Sequence, residues 1–160
     1  MKIDHNKLII KELEAVLTKG NAHVTFEEAV KGISPALLGS VPNELPYSIW
    51  QLVEHIRITQ WDILEFSRNP DHQSPKWPDD YWPKERTPSD PNAWKESLDQ
   101  VAADKKAFIG LLHGAGEQLY TRFPHGDGQT LLREALLIAD HTSYHTGEII
   151  LLRRILDDWK

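Results

Sequence analysis

The segment from Thr130 to Asp157, TLLREALLIADHTSYHTGEIILLRRILD, decides the fold class of this chain. Its apolar residues recur at the three- and four-residue intervals of an α-helix. They include Leu132, Leu136, Ala139, Ile150, Leu151 and Ile155. The segment therefore predicts a long last helix. It also contains His141 and His145, and a helix places residues four apart one turn above each other on the same face.

Apolar periodicity predicts three more long helices upstream of this segment. The first runs from Asp4 to Lys19, capped by Asp4 and ended by Gly20, and the second from Ser48 to Ser67. The third begins at Asp90–Pro91, because proline at the first helical position loses no hydrogen bond, and ends near residues 114–116. The apolar stripe of the first helix is Ile3, Leu8, Ile9, Leu13, Val16 and Leu17.

The connections between these helices are rich in proline and glycine. A short helical turn with a Thr25–Glu28 capping box is predicted at Thr25–Val30, followed by a loop at Ile33–Pro46. Residues Pro70–Pro91 predict a long loop or lid between the second and third long helices, and the link Phe123–Gly128 precedes the last helix. The aromatic residues of the long loop are available to line a pocket or to pack over a bundle end: Trp77, Tyr81 and Trp82.

These elements predict the fold class. No segment shows the alternation of a strand, and 160 residues fit one domain of ordinary size. We therefore predict an all-α four-helix bundle in which residues 1–160 form a single domain.

Composition excludes several classes of function. The chain has no cysteine, so disulfides, thiolate metal sites and cysteine nucleophiles are excluded. Its net charge of −6 disfavours binding to a phosphate backbone, so no nucleic-acid partner is expected. The N-terminus shows no signal segment and no apolar run reaches 18 residues, so we expect a cytoplasmic protein without a membrane partner.

A third histidine joins the pair in the last helix. His55, in Leu52-Val-Glu-His-Ile56, lies on an amphipathic segment and is expected to point into the bundle. Three imidazoles bind Zn²⁺, Ni²⁺ or Fe²⁺ and leave coordination positions open. Glu148 lies on the same helical face as His141 and His145. Three roles are open to it: a fourth metal ligand, a hydrogen-bond partner of a ligand histidine, or a catalytic proton acceptor.

Simpler interpretations of these residues remain open. His55 fits a hydrogen-bonded core histidine, and a His-x-x-x-His pair occurs in helices that bind no metal. The polar residues Asp140, Tyr144 and Glu134 are either solvated helix positions or orienting groups. The remaining histidines are expected on the surface: His5, His23, His72, His113 and His125. Among them His23 is the best candidate for another role, because it precedes the capped turn.

Two motifs carry a family resemblance. SIWQLVEHI at 48–56 and ADHTSYHTGEI at 139–149, with AHVTFEEA at 22–29, resemble the DinB/YfiT-like superfamily. The resemblance implies an up-down-down-up four-helix bundle, often a homodimer, with a metal site formed by His55, His141 and His145. Members often carry glutamine where this chain has Glu148, which alters the charge of the site.

The resemblance also implies classes of activity. Relatives include thiol-dependent S-transferases that use bacillithiol, a mycothiol-dependent maleylpyruvate isomerase and proteins described as metal-dependent hydrolases. We therefore expect a metal-dependent transferase or hydrolase with a small-molecule substrate, a low-molecular-weight thiol among the candidates. The alternative is a non-catalytic helical binding protein, or a stress-associated one, whose metal ties two helices together.

Overall fold

Five α-helices build the protein in the computed structural model, which describes residues 4–42 and 45–159. They are α1 (His5–Thr18), α2 (Phe26–Val30), α3 (Ile49–Arg68), α4 (Ala93–Ala115) and α5 (Leu131–Ile155). Within the described ranges no strand forms, so the all-α prediction is confirmed. Ile3 of the predicted first stripe and positions 43–44 of the predicted loop lie outside the described residues.

Side-chain caps fix the helix starts that the sequence predicted. The Asp4 carboxylate accepts from the Lys7 amide, and Thr130 accepts from the amide of Arg133. Reciprocal capping boxes start α2 and α3, formed by Thr25 with Glu28 and by Ser48 with Gln51. Each cap satisfies backbone amides that the first turn leaves without helical partners.

The start of α4 differs from the prediction by two residues. Pro91 lies in a turn, and the helix begins at Ala93. Asp90 still stabilises the start of the helix, because its Oδ1 accepts from the amides of Asn92 at 2.8 Å and Ala93 at 3.2 Å. The carboxylate thus satisfies the amides from outside the helix, and proline is not needed at the first helical position.

Two apolar clusters form the core. α3 packs against α4 and α5, α1 packs against the same two helices, and α2 packs against α5. One cluster joins α2, the first half of α3, Val101 of α4 and the end of α5, whereas the other joins α1, the end of α3, the second half of α4 and the start of α5. On α5, His141 and His145 lie between Ile138 of the second cluster and Ile149 of the first. The polar centre of α5 therefore interrupts the apolar core.

The surface of α5 departs from the prediction at several positions. Leu136 and Leu151 belong to the predicted apolar stripe but are exposed, because the buried face of the helix is formed by other apolar residues such as Ile138 and Ile149. Glu134 is buried, not solvated, and its carboxylate pairs with Arg133 at 2.7 Å. None of the helices in the described ranges is both long enough and apolar enough to cross a membrane.

Candidate metal centre

The three predicted histidines come together between α3 and α5. His55 is 2% exposed and His145 is 7% exposed, and His141 is half-buried beside them. One ring nitrogen from each lies within 4.8 Å of the others. The Nε2 atoms of His55 and His141 are 3.0 Å apart. Two helices distant in sequence therefore present three imidazoles to a single point.

The orientation of His55 is fixed by the long loop. Its Nδ1 donates to the backbone carbonyl of Tyr81 at 2.9 Å. A carbonyl only accepts, so Nδ1 carries the ring proton and Nε2 keeps a lone pair. The Trp82 ring stacks on His55 at 3.8 Å between centroids, and Tyr47 stacks on the other face of Trp82 at 3.7 Å. This stack shields one face of His55 from water.

His145 is oriented by Glu148 in a similar manner. Its Nδ1 lies 2.6 Å from Oε2 of Glu148, three residues later on the same helix. The carboxylate accepts the Nδ1 proton, so Nε2 is the atom of His145 that would coordinate an ion. Glu148 thus holds the tautomer of His145 suited to coordination through Nε2.

Burial keeps His141 and His55 neutral at physiological pH. Burial, together with repulsion from His145 and His55, lowers the pKa of His141 to about 3. Burial also lowers the pKa of His55, although the Tyr81 carbonyl opposes part of this shift. Neutral imidazoles are the form that binds metal ions, so protons do not compete for these two rings near pH 7.

The donor set fits a divalent cation. The lone pair on Nε2 of His55 lies beside Nε2 of His141, and a ring nitrogen of His145 lies within 4.8 Å of both rings, an arrangement that attracts positive charge. Two nitrogens bound at about 2.1 Å to one ion lie at most about 4.2 Å apart. Even the 4.8 Å limit of the cluster therefore needs only a small side-chain adjustment to bind an ion.

A buried polar network supports the loop that holds His55. The Tyr81 phenol donates to Asp62 Oδ2 at 2.6 Å, and His72 Nε2 lies 2.8 Å from Asp62 Oδ1. Burial, with the hydrogen bond to Asp62, raises the pKa of the Tyr81 phenol, so it remains a donor. The prediction that His72 is a surface histidine is wrong, because its side chain is buried against Asp62 and Trp61.

The aromatic residues of the loop divide into two groups. Tyr81 and Trp82 contact His55, one through its carbonyl and the other through its ring. Trp77 is 68% exposed and packs its ring against Tyr81, outside the histidine cluster. His23 also lies outside the cluster and contacts Ser143 on another face of α5.

Sequence patterns missed several residues around this site. Asp62 lies seven residues after His55, two helical turns along one face of α3, and that spacing was a usable signal. His72 and Tyr47 carry no such signal. They come from connections whose paths are set by packing, so their positions follow only from the structure.

Comparison with protein families agrees with this geometry. A family model of the DinB superfamily matches residues 21–149. The chain belongs to the DinB superfamily. The matched range contains all three histidines of the cluster and Glu148 of this DinB-superfamily protein. Comparisons with curated proteins and with solved structures gave no match.

Proposed function

We propose that this DinB-superfamily protein is a metal-dependent enzyme acting on a small-molecule substrate, by thiol-dependent S-transfer or by hydrolysis. The observation that supports this is the convergence of His55, His141 and His145 with two Nδ1 atoms already engaged. Zn²⁺ or Ni²⁺ is the ion we propose first, with Fe²⁺ next. When bound, such an ion supplies Lewis-acid chemistry that lowers the pKa of a coordinated water or thiol.

The residues around the histidines have separate roles in this proposal. Glu148 is half-exposed, so a substrate can reach the carboxylate that orients His145. We assign Glu148 as the proton acceptor, because a carboxylate beside the reacting water or thiol can accept its proton. The stacked rings of Trp82 and Tyr47 exclude water from one face of His55.

The first experiment measures metal content and affinity. We expect near-stoichiometric metal in wild-type protein purified without chelator, and its loss in His145→Gln. His113→Gln is the control, because His113 is exposed and pairs with Glu14 away from the cluster. Wild-type protein that takes up no Zn²⁺, Ni²⁺ or Fe²⁺ on reconstitution would contradict the proposal.

A second experiment separates a catalytic ion from a structural one. In the Co²⁺-substituted protein, a small thiol added to an open position changes the visible spectrum, whereas a closed site with four protein ligands gives no change. A structural ion also predicts a large loss of thermal stability in His145→Gln. We expect a spectral change with a modest loss of stability. The reverse result would favour the non-catalytic alternative.

We further propose that the protein forms a homodimer through α5. Four exposed apolar residues lie within about 100° of one another around this helix: Leu136, Tyr144, Leu151 and Ile155. Leu151→Glu is expected to shift the sedimentation coefficient from dimer to monomer. Leu8→Glu on α1 is the control, because Leu8 is exposed outside this face. A wild-type monomer at micromolar concentration would refute this proposal.

A further inference from the structure

A second group of polar residues lies on another face of α5, away from the three histidines. Ser143 Oγ is 3.2 Å from Nε2 of His23, in the connection between α1 and α2. The Nδ1 atom of His23 is 2.8 Å from the backbone carbonyl of Val24. That carbonyl only accepts, so Nδ1 carries the proton of the neutral ring and Nε2 is free to accept from the Ser143 hydroxyl.

A tight turn at Gly20 fixes the position of His23. The His23 amide donates to the carbonyl of Gly20 in a tight turn directly after α1. A side chain at position 20 would collide with the His23 carbonyl, so only glycine permits this turn. The turn brings the imidazole across to Ser143, 120 residues later in the sequence.

Ser143 and His23 line a small cavity of about 40 Å³. This is room for about three water-sized groups. Two buried side chains line the same cavity, Gln60 and Thr146, and Thr146 is 2% exposed. The Thr146 hydroxyl has no hydrogen-bond partner among the described residues. A buried hydroxyl without a partner is unfavourable, so this cavity is suited to a polar occupant.

A cation also lines this cavity. Lys105 of α4 borders it, with its ammonium held by Glu27 of α2. A lysine near a reacting carbonyl stabilises the negative charge that develops on its oxygen. The cavity therefore combines a hydroxyl nucleophile with an oriented base, and Lys105 lies at its border.

We propose that Ser143 and His23 form a second catalytic site, independent of metal, that cleaves esters with a small acyl group. Ser143 Oγ attacks the acyl carbon while His23 Nε2 takes its proton. The ester C–O bond breaks, and His23 gives that proton to the leaving alkoxide. Water then attacks the acyl carbon of the acyl-serine while His23 Nε2 takes a proton from it. The bond from the acyl carbon to Ser143 Oγ breaks, His23 gives that proton to Ser143 Oγ, and the free acid is released. An acetyl-sized group matches the cavity volume.

Covalent labelling of the full-length chain tests this site. A small alkyl fluorophosphonate is incubated with protein as purified and with protein treated with EDTA, and the modified residue is identified by peptide mass mapping. We expect one label, on Ser143, at equal rates in both samples. Equal rates separate this site from the metal centre, because loss of the ion leaves the dyad unchanged.

Variants complete the test. Ser143→Ala should abolish the label, and His23→Gln should slow it about a hundredfold, the usual contribution of a general base. His113→Gln should label at the wild-type rate. Wild-type protein should also release p-nitrophenol from p-nitrophenyl acetate in a burst, which needs no variant to fold. An unlabelled Ser143 with no burst, or equal labelling in His23→Gln, would overturn the proposal.

Discussion

The backbone carbonyl of Tyr81 accepts the Nδ1 proton of His55 at 2.9 Å. The phenol of the same residue donates to Asp62 at 2.6 Å. His55 and Asp62 are seven residues apart on α3, so Tyr81 is attached to one helix at two points, two turns apart. We therefore expect the orientation of His55 to depend on the hydrogen bond at the far end of the Tyr81 side chain.

Removal of the phenol tests this dependence. Tyr81→Phe keeps the packing of the ring and deletes the hydrogen bond to Asp62. We expect the affinity for Zn²⁺ to fall about tenfold, the lower end of the range for partners outside the coordinating residues. Affinity is measured by competition with a chromophoric chelator.

Two comparisons make this prediction specific. Tyr120→Phe alters an exposed tyrosine and should leave the affinity unchanged. In an Asp62→Ala background, which lacks the acceptor, Tyr81→Phe should cause little further loss, because the two residues act through one hydrogen bond. Additive losses would show that Tyr81 and Asp62 act separately.

Glu148 offers a second test of orientation. Glu148→Gln retains an oxygen that accepts from Nδ1 of His145 but removes the negative charge. We expect metal affinity to fall about tenfold, while the free energy of unfolding changes by less than about 1 kcal/mol because the side chain is half-exposed. Calorimetric titration measures the affinity and urea denaturation the stability.

The control for this charge is Glu12→Gln, on the exposed surface of α1. It should change neither quantity. If Glu148→Gln binds the ion as tightly as wild type, the charge of Glu148 has no part in holding His145. Its role as a proton acceptor would then be visible only in the pH dependence of activity.

Much of this architecture follows from local sequence signals. The caps at Thr25, Ser48 and Thr130 each combine a hydroxyl with the first turn of a helix, and such contacts span only three residues. The pair His141 and His145 is equally local, because helical geometry alone puts both on one face. These features were therefore predictable without knowledge of the tertiary structure.

Other features depend on contacts between distant residues. The stack of Tyr47 on Trp82, and of Trp82 on His55, joins three separate segments. His72 was expected on the surface because it lies in a loop near a helix end, yet its side chain is buried against Asp62. Exposed Leu136 shows the opposite error, since helical periodicity does not say which of two apolar faces meets the core.

The two tryptophans of the long loop should differ in their effect on stability. Trp82 stacks on His55 and packs against the core, so Trp82→Ala is expected to lower the free energy of unfolding by about 2–4 kcal/mol. Trp77 is mostly exposed, and Trp77→Ala should change it by no more than about 0.5 kcal/mol. Urea denaturation of both variants provides the comparison. Equal effects would contradict the position of Trp82 over His55.

Acid should destabilise the metal-free protein through His141. In the unfolded chain this histidine takes up a proton near its ordinary pKa of about 6.5. In the folded protein, burial lowers the pKa to about 3. Between these values the unfolded state binds more protons, so the free energy of unfolding falls as the pH is lowered from 6.5 towards 3.

Replacement of His141 should weaken this pH dependence. Between pH 7 and pH 5, in the presence of chelator, His141→Gln is expected to lose about 1–2 kcal/mol less stability than wild type, because one pKa unit corresponds to about 1.4 kcal/mol. His113→Gln, which changes an exposed histidine, should follow the wild-type curve. Urea denaturation at several pH values measures the difference. Parallel curves for His141→Gln and wild type would mean that His141 takes up a proton as readily in the folded protein as in the unfolded chain. The conclusion that burial keeps His141 neutral would then be wrong.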